Sequence, residues 1–210
     1  MAEALKTRVS RPIARGEKHQ RILDAAISVI AEKGFFQARV SEIAERAGVA
    51  DGTIYLYFKN KEQILMAAID SAFAAFLERA RAAVSDAAMP PEQRLSRLCQ
   101  LHLETLGGNR DLALVFQTEL RQSARFLAQF SRTRLVEYFD LIRSLVREAQ
   151  SAGRFRPDIS DKIAANCFFG AIDEMVTSWM LSEHQYSLAG AADAVMNVIL
   201  KGMENRPPAE

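Results

Sequence analysis

The sequence predicts an all-α protein. It reads as an N-terminal three-helix unit with a helix-turn-helix, followed by a larger C-terminal helical domain. Three observations carry this. The six prolines, Pro12, Pro90, Pro91, Pro157, Pro207 and Pro208, leave proline-free stretches at 13–89, 92–156 and 158–206, and proline breaks helix interiors. Through those stretches apolar residues recur at helical spacing and nowhere alternate with strand period. Residues 40–58, VSEIAERAGVADGTIYLYF, fit a helix, a glycine turn and a second short helix into one compact segment.

Taken in order, residues 1–16 form a polar arm with Lys6, Arg8, Arg11 and Arg15. A first helix is predicted from Glu17, with Leu23, Ala26, Ile27 and Ile30 inward and Gly34 as its stop. A second spans about 41–47, with Ser41 as N-cap, Ile43 and Ala44 inward, and Gly48 closing it. A third runs from Asp51, its cap, to about Phe58. Asn60 with Gln63 has capping-box spacing and starts a long helix reaching about Ala88, where Pro90 and Pro91 end it. Five more helices are predicted at 91–106, 110–119, 123–152, 158–184 and 188–203. The domain bounds follow: 1–16 arm, 17–60 three-helix unit, 61–204 linker helix with the larger helical domain, 205–210 tail.

Composition sets the frame. The 210 residues are 49% apolar and 25% charged, with a net charge of +1, which suits an ordinary globular chain with a real core. No apolar run is long enough for a membrane helix, and no secretory signal core follows the polar N-terminus. Cys99 and Cys167 are too few for a disulfide framework or a metal site; two buried reduced thiols in a cytoplasmic protein are expected. His19, His102 and His184 are scattered, and no HExxH, GxSxG, phosphate-loop or ExxH iron motif occurs, so no enzyme, metal or cofactor is expected.

The helix-turn-helix supplies the chemistry. Its second helix is predicted to face Thr53, Tyr55 and Tyr57 outward while Ile54 and Phe58 face in. A threonine hydroxyl near a helix start can bond a phosphate, and tyrosine offers a hydroxyl for phosphate and a ring for thymine methyl or sugar. Lys61 stands at the next helix start, where its charge and the helix N-terminus both attract phosphate. The bland alternative is that the tyrosines merely pack the small domain.

Residues 17–66, with AAISVIAEKGF and then VSEIAERAGVADGTIYLYFKNKEQIL, resemble the DNA-binding domain of TetR-family transcriptional regulators. The resemblance implies a homodimer that sets one recognition helix into each half-site of a near-palindromic double-stranded operator. It implies Ser41, Thr53, Tyr55, Tyr57 and Lys61 as DNA contacts; Asp51, less typical of the family, is assigned to capping. Further along, GNRDLALVFQTELRQS at 108–123 and FGAIDEMVTSWM at 169–180 are similar to the acyl-CoA-responsive members of that family. They imply a repressor of fatty-acid β-oxidation genes, released from DNA by a long-chain acyl-CoA effector.

Charge divides accordingly. Residues 1–60 hold 10 Lys/Arg and 7 Asp/Glu, a net +3, and residues 61–210 hold 17 and 19, a net −2. The arm is either a phosphate-tracking or minor-groove element or a solvated tail. For the dimer interface, the broad apolar faces of the last two helices supply Phe168, Ile172, Met175, Trp179, Val195 and Ile199; the alternative is that they fill the core. For the effector, Phe116, Leu120, Phe126 and Phe169 are expected to line an apolar tunnel, with Arg121 and Arg125 at its mouth beside Arg110, Arg132 and Arg134. Two rival functions stay open. One is a TetR-type sensor of a drug or other apolar compound, for which Glu119, Asp173 and Glu174 offer negative charge. The other is a sequence-blind DNA-coating protein, which would not discriminate operator from random DNA.

Overall fold

A computed structural model of the chain describes residues 15–119, 128, 134–182 and 186–205. The predicted arm lies outside the described residues except for its last two positions. Helix α1 (Arg15–Gln37) buries Ile22, Leu23, Ala26, Val29 and Ile30. Its last turn is broken at Gly34, where φ 77 and ψ 155 suit only glycine. Helix α2 (Val40–Ala47) buries Ile43, Ala44 and Ala47. Its cap differs from expectation. The N-cap is Arg39, and Ser41 lies exposed inside the first turn. The Arg39 backbone N–H donates to Glu42 Oε2 at 3.0 Å. Glu42 thus closes the helix start, and half-buried Val40 joins the inner stripe. Lys33 pairs with the same carboxylate group at 2.8 Å and ties α1 to α2.

At the turn Gly48 is left-handed, φ 64 and ψ 41. Its N–H donates to Glu45 O and that of Val49 to Ala44 O, both at 3.0 Å, the Schellman pattern that satisfies the last carbonyls of a helix. Helix α3 (Asp51–Ile54) is half the predicted length, and Ala50, not Asp51, is its N-cap. Beyond it, Leu56 N–H donates to Thr53 O and Tyr57 N–H to Ile54 O. These tight turns bring both Ile54 and Phe58 into the core.

Helix α4 (Lys61–Ala83) begins as expected: Asn60 Oδ1 accepts from Gln63 N–H at 2.8 Å. The reciprocal bond reaches one residue further out, from Lys59 N–H to Gln63 Oε1 at 2.7 Å. The helix stops before the predicted Ala88. Ser85 Oγ donates to Ala82 O at 2.9 Å and Asp86 Oδ1 accepts from Ala88 N–H at 3.0 Å, local bonds that compete with the helical ladder.

Helices α5 (Pro91–Gly107), α6 (Arg110–Gln117), α7 (Arg134–Ser151), α8 (Asp161–Leu181) and α9 (Ala192–Met203) complete the described order. Helix α8 starts later than the predicted 158 because Ser160 is its cap, Oγ accepting from Ile163 N–H at 3.2 Å. A 3₁₀ turn, Leu188–Ala191, precedes α9. The predicted helical stretch 123–133 lies outside the described residues apart from 128. Helix α1 packs against α2, α4 and α6, while α5 is enclosed by α4, α6, α7, α8 and α9. One continuous apolar cluster runs from Ile22 to Met203. Cys99 is buried, and burial pushes its thiol up to about 12. Cys167 is exposed on α8, contrary to the expectation of two buried thiols. No described helix is long and apolar enough to cross a membrane.

Candidate DNA-reading face and effector cavity

The reading unit is built by packing Ile43, Ile54 and Phe58 beneath α2 and α3. That leaves Tyr55 60% exposed, Ser41 exposed and Thr53 half-buried. Tyr57 is half-buried, its ring 5.7 Å edge-on from His19, so packing takes a large share of that side chain. Lys61 is placed differently from its expected role at phosphate. Its Nζ donates to Ala38 O at 2.8 Å and Phe36 O at 3.2 Å and sits 4.6 Å from the Phe35 ring centre. The ammonium therefore fastens α4 to the chain between α1 and α2. Burial pushes its pKa below the ordinary lysine value, and the Glu119 charge opposes that. One cation escaped the sequence reading: Arg39 is exposed at the start of α2.

Behind this unit lies an apolar cavity of about 30 Å³ between α4, α5 and α6. Its walls are Ala72, Phe73, Phe76, His102, Thr105, Leu106, Leu112 and Phe116. Of the predicted lining residues, Phe116 is in the wall. Phe169 stands behind it, its ring 6.1 Å from His102 and 5.2 Å from Phe139. Leu120, Arg121, Arg125 and Phe126 lie outside the described residues, as does Arg132. Arg110 and Arg134 serve elsewhere: Arg110 donates to Met180 O at 2.9 Å beside the Trp179 ring, and Arg134 pairs with Asp70 at 2.9 Å, joining α7 to α4.

Two polar features of the cavity were not foreseen. His102 Nδ1 lies 3.0 Å from the Tyr138 hydroxyl, both groups buried. Burial lowers the His102 pKa to about 4 and holds the Tyr138 hydroxyl well above its ordinary value, so at neutral pH the pair is uncharged. At the rim, Arg79 Nη1 donates to Thr105 Oγ1 at 3.4 Å and pairs with no carboxylate among the described residues, unlike Arg81, Arg94 and Arg134. A cleft of about 330 Å³ lies where α1, α4 and α6 meet, lined by Gln20, Asp24, Ser28, Ser71 and Asp111 together with Leu23, Ile27 and Ala75. Ala72 and Leu112 belong to the walls of both spaces.

The predicted interface residues divide. Phe168 and Ile172 are 1% and 0% exposed, and Trp179 is buried too, so the core already occupies their side chains. Met175, Val195 and Ile199 are half-buried. The outward apolar residues of these helices are instead Ile163, Leu181 and Val198, at 58%, 78% and 75% exposure.

A helix-turn-helix mounted on a helical domain with an internal apolar cavity defines a one-component, ligand-responsive transcriptional regulator. The chain belongs to the TetR family of bacterial regulatory proteins. Residues 22–68 match the family model described as "Bacterial regulatory proteins, tetR family", and residues 69–202 match that of the "YsiA-like protein, C-terminal region". The fatty acid metabolism regulator protein of Bacillus subtilis is 38% identical over 189 residues, covering 90% of this chain and 97% of that protein. Two solved structures are similar. FadR from B. subtilis, in complex with stearoyl-CoA, has a TM-score of 0.82 at 36% identity. FadR from Bacillus halodurans, a fatty acid degradation regulator, has a TM-score of 0.82 at 38%. Each comparison covers 89% of this chain and 100% of the other.

Proposed function

We propose that the protein is a cytoplasmic homodimeric repressor of fatty-acid β-oxidation genes, which holds a palindromic operator and releases it on binding a long-chain acyl-CoA. The observation that carries this is the apolar cavity between α4, α5 and α6, in a chain similar over most of its length to a regulator solved with stearoyl-CoA. The cavity is far smaller than the ~300–1,000 Å³ of an occupied ligand site, so an acyl chain must part α4 and α6 to enter. A ligand that binds the parted form better shifts the population away from the DNA-bound form. Arg79 joins Arg121 and Arg125 as a candidate partner for the phosphates, and Arg39 joins Ser41, Thr53 and Tyr55 on the DNA side.

Operator binding followed by fluorescence anisotropy tests the reading. Micromolar stearoyl-CoA is expected to release the operator, whereas CoA or stearate alone does much less; no release by stearoyl-CoA would refute the effector assignment. In the same assay Tyr55→Ala is expected to weaken operator binding by roughly 1–3 kcal/mol, and unchanged affinity would remove Tyr55 from the contact set.

The dimer is placed on the outward face of α8 and α9, where Ile163, Leu181 and Val198 are exposed. Cys167 and Gly170 share that face of α8. A short bis-maleimide is therefore expected to link two copies through Cys167. Denaturing gels would show the dimer band in the native sequence and not in Cys167→Ser; a band that survives the substitution would reject this face.

A further inference from the structure

The reading unit and the effector domain meet at one carboxylate that neither function accounts for. Glu119 lies two residues beyond the end of α6 and three residues, about one helical turn, beyond Phe116 on the cavity wall. Its Oε1 is 3.6 Å from where a β-carbon of Gly34 would stand, so it rests against the break in α1. Gly34 breaks the helix just before Phe36 and Ala38, whose carbonyls hold Lys61. The Glu119 charge acts on that same lysine. Between the cavity and this contact, α6 packs on α1 on one side and on α5 and α8 on the other.

We propose that Glu119 is the positioning residue that holds the reading unit in its DNA-competent setting, by resting against the Gly34 break from the effector domain with its charge acting on the Lys61 ammonium. It rests on the acyl-CoA reading only for the trigger. A chain that displaces Phe116 rotates the same short segment and withdraws the carboxylate. The reading unit then loses a support present only in the unliganded form. A change that removes that support weakens operator binding and strengthens effector binding, each in the measure set by the populations of the two forms.

The test is Glu119→Gln, which keeps the shape and removes the charge, with Glu104→Gln on the exposed side of α5 as control. Operator affinity is measured by anisotropy and stearoyl-CoA affinity by calorimetry on the full chain. The expected result is operator Kd raised about fivefold, the scale of a modest surface charge interaction, and stearoyl-CoA Kd lowered. Generic electrostatics predicts the opposite sign for DNA, since losing a negative charge tightens binding to phosphate. Combined with Lys61→Met, the Glu119 substitution is expected to add little. Unchanged operator affinity, tighter operator binding, or a parallel loss of both affinities would overturn the proposal. If the native protein fails to bind stearoyl-CoA, the effector assignment falls, while the operator measurement still decides the role of Glu119.

Discussion

Acidification from pH 6.5 to pH 4 is expected to cost the fold about 3 kcal/mol through His102 alone. The ring is buried against Phe76 and Tyr138, with ring centres 5.3 and 5.6 Å away, and is neutral in the folded state. Its folded pKa is about 4 against 6.5 for the free side chain, depressed by burial, with the Asp173 charge acting the other way. Above pH 6.5 neither folded nor unfolded chain binds this proton, and the full stability is present. As pH falls below 6.5 the unfolded chain takes up the proton first, and stability drains until the folded ring also titrates near pH 4. One pKa unit is about 1.4 kcal/mol, so about 2 kcal/mol of the loss has already appeared at pH 5. Chemical denaturation of the native sequence and His102→Gln at pH 7 and pH 5 separates this from carboxylate titration. Glutamine can still bond the Tyr138 hydroxyl, yet it does not titrate. Equal pH slopes for the two proteins would show that His102 is not buried as a neutral ring.

Gly48→Ala is expected to destabilise the protein by about 2.5–5 kcal/mol and to abolish operator binding before the effector domain melts. The left-handed setting of residue 48 costs a side-chain-bearing residue about 1–2 kcal/mol. The added methyl would also collide with the Arg21 guanidinium, which donates to Ala47 O and closes the end of α2. The arginine can swing away, but a charge-assisted hydrogen bond worth about 1.5–3 kcal/mol is then lost. Thermal unfolding with anisotropy at each temperature checks both parts. A variant within 1 kcal/mol of the native protein would mean that the turn tolerates another backbone setting.

Most helices were legible because proline placement and the 3.6-residue period are strong, local signals. The Gly48 turn and the Asn60 cap were readable for the same reason: each is decided within about six residues. What sequence reading misplaced depends on partners distant along the chain. Ser41 is a good cap in isolation, but Glu42 closes the helix start instead and is held by Lys33 from α1. Lys61 stands where a phosphate contact is expected, yet the Phe36 and Ala38 carbonyls take its ammonium. Phe168 and Ile172 were legible as apolar but not as inward, because α8 is apolar on more than one side. Only packing against the rest of the domain decides which side is covered. His102 and Tyr138, 36 residues apart in sequence, could not be paired from sequence at all.

Ala72 and Leu112 stand between the apolar cavity and the larger cleft of mixed lining, a partition one side chain thick. Two chambers with a common wall exchange volume. Whatever swells the smaller chamber bulges into the larger one, and a filled cleft would resist the swelling. Such a device gauges how bulky its guest is as well as what it is made of. A short chain that fits without moving the wall would be bound and yet leave the far chamber unaware of it, so occupancy and response can part company.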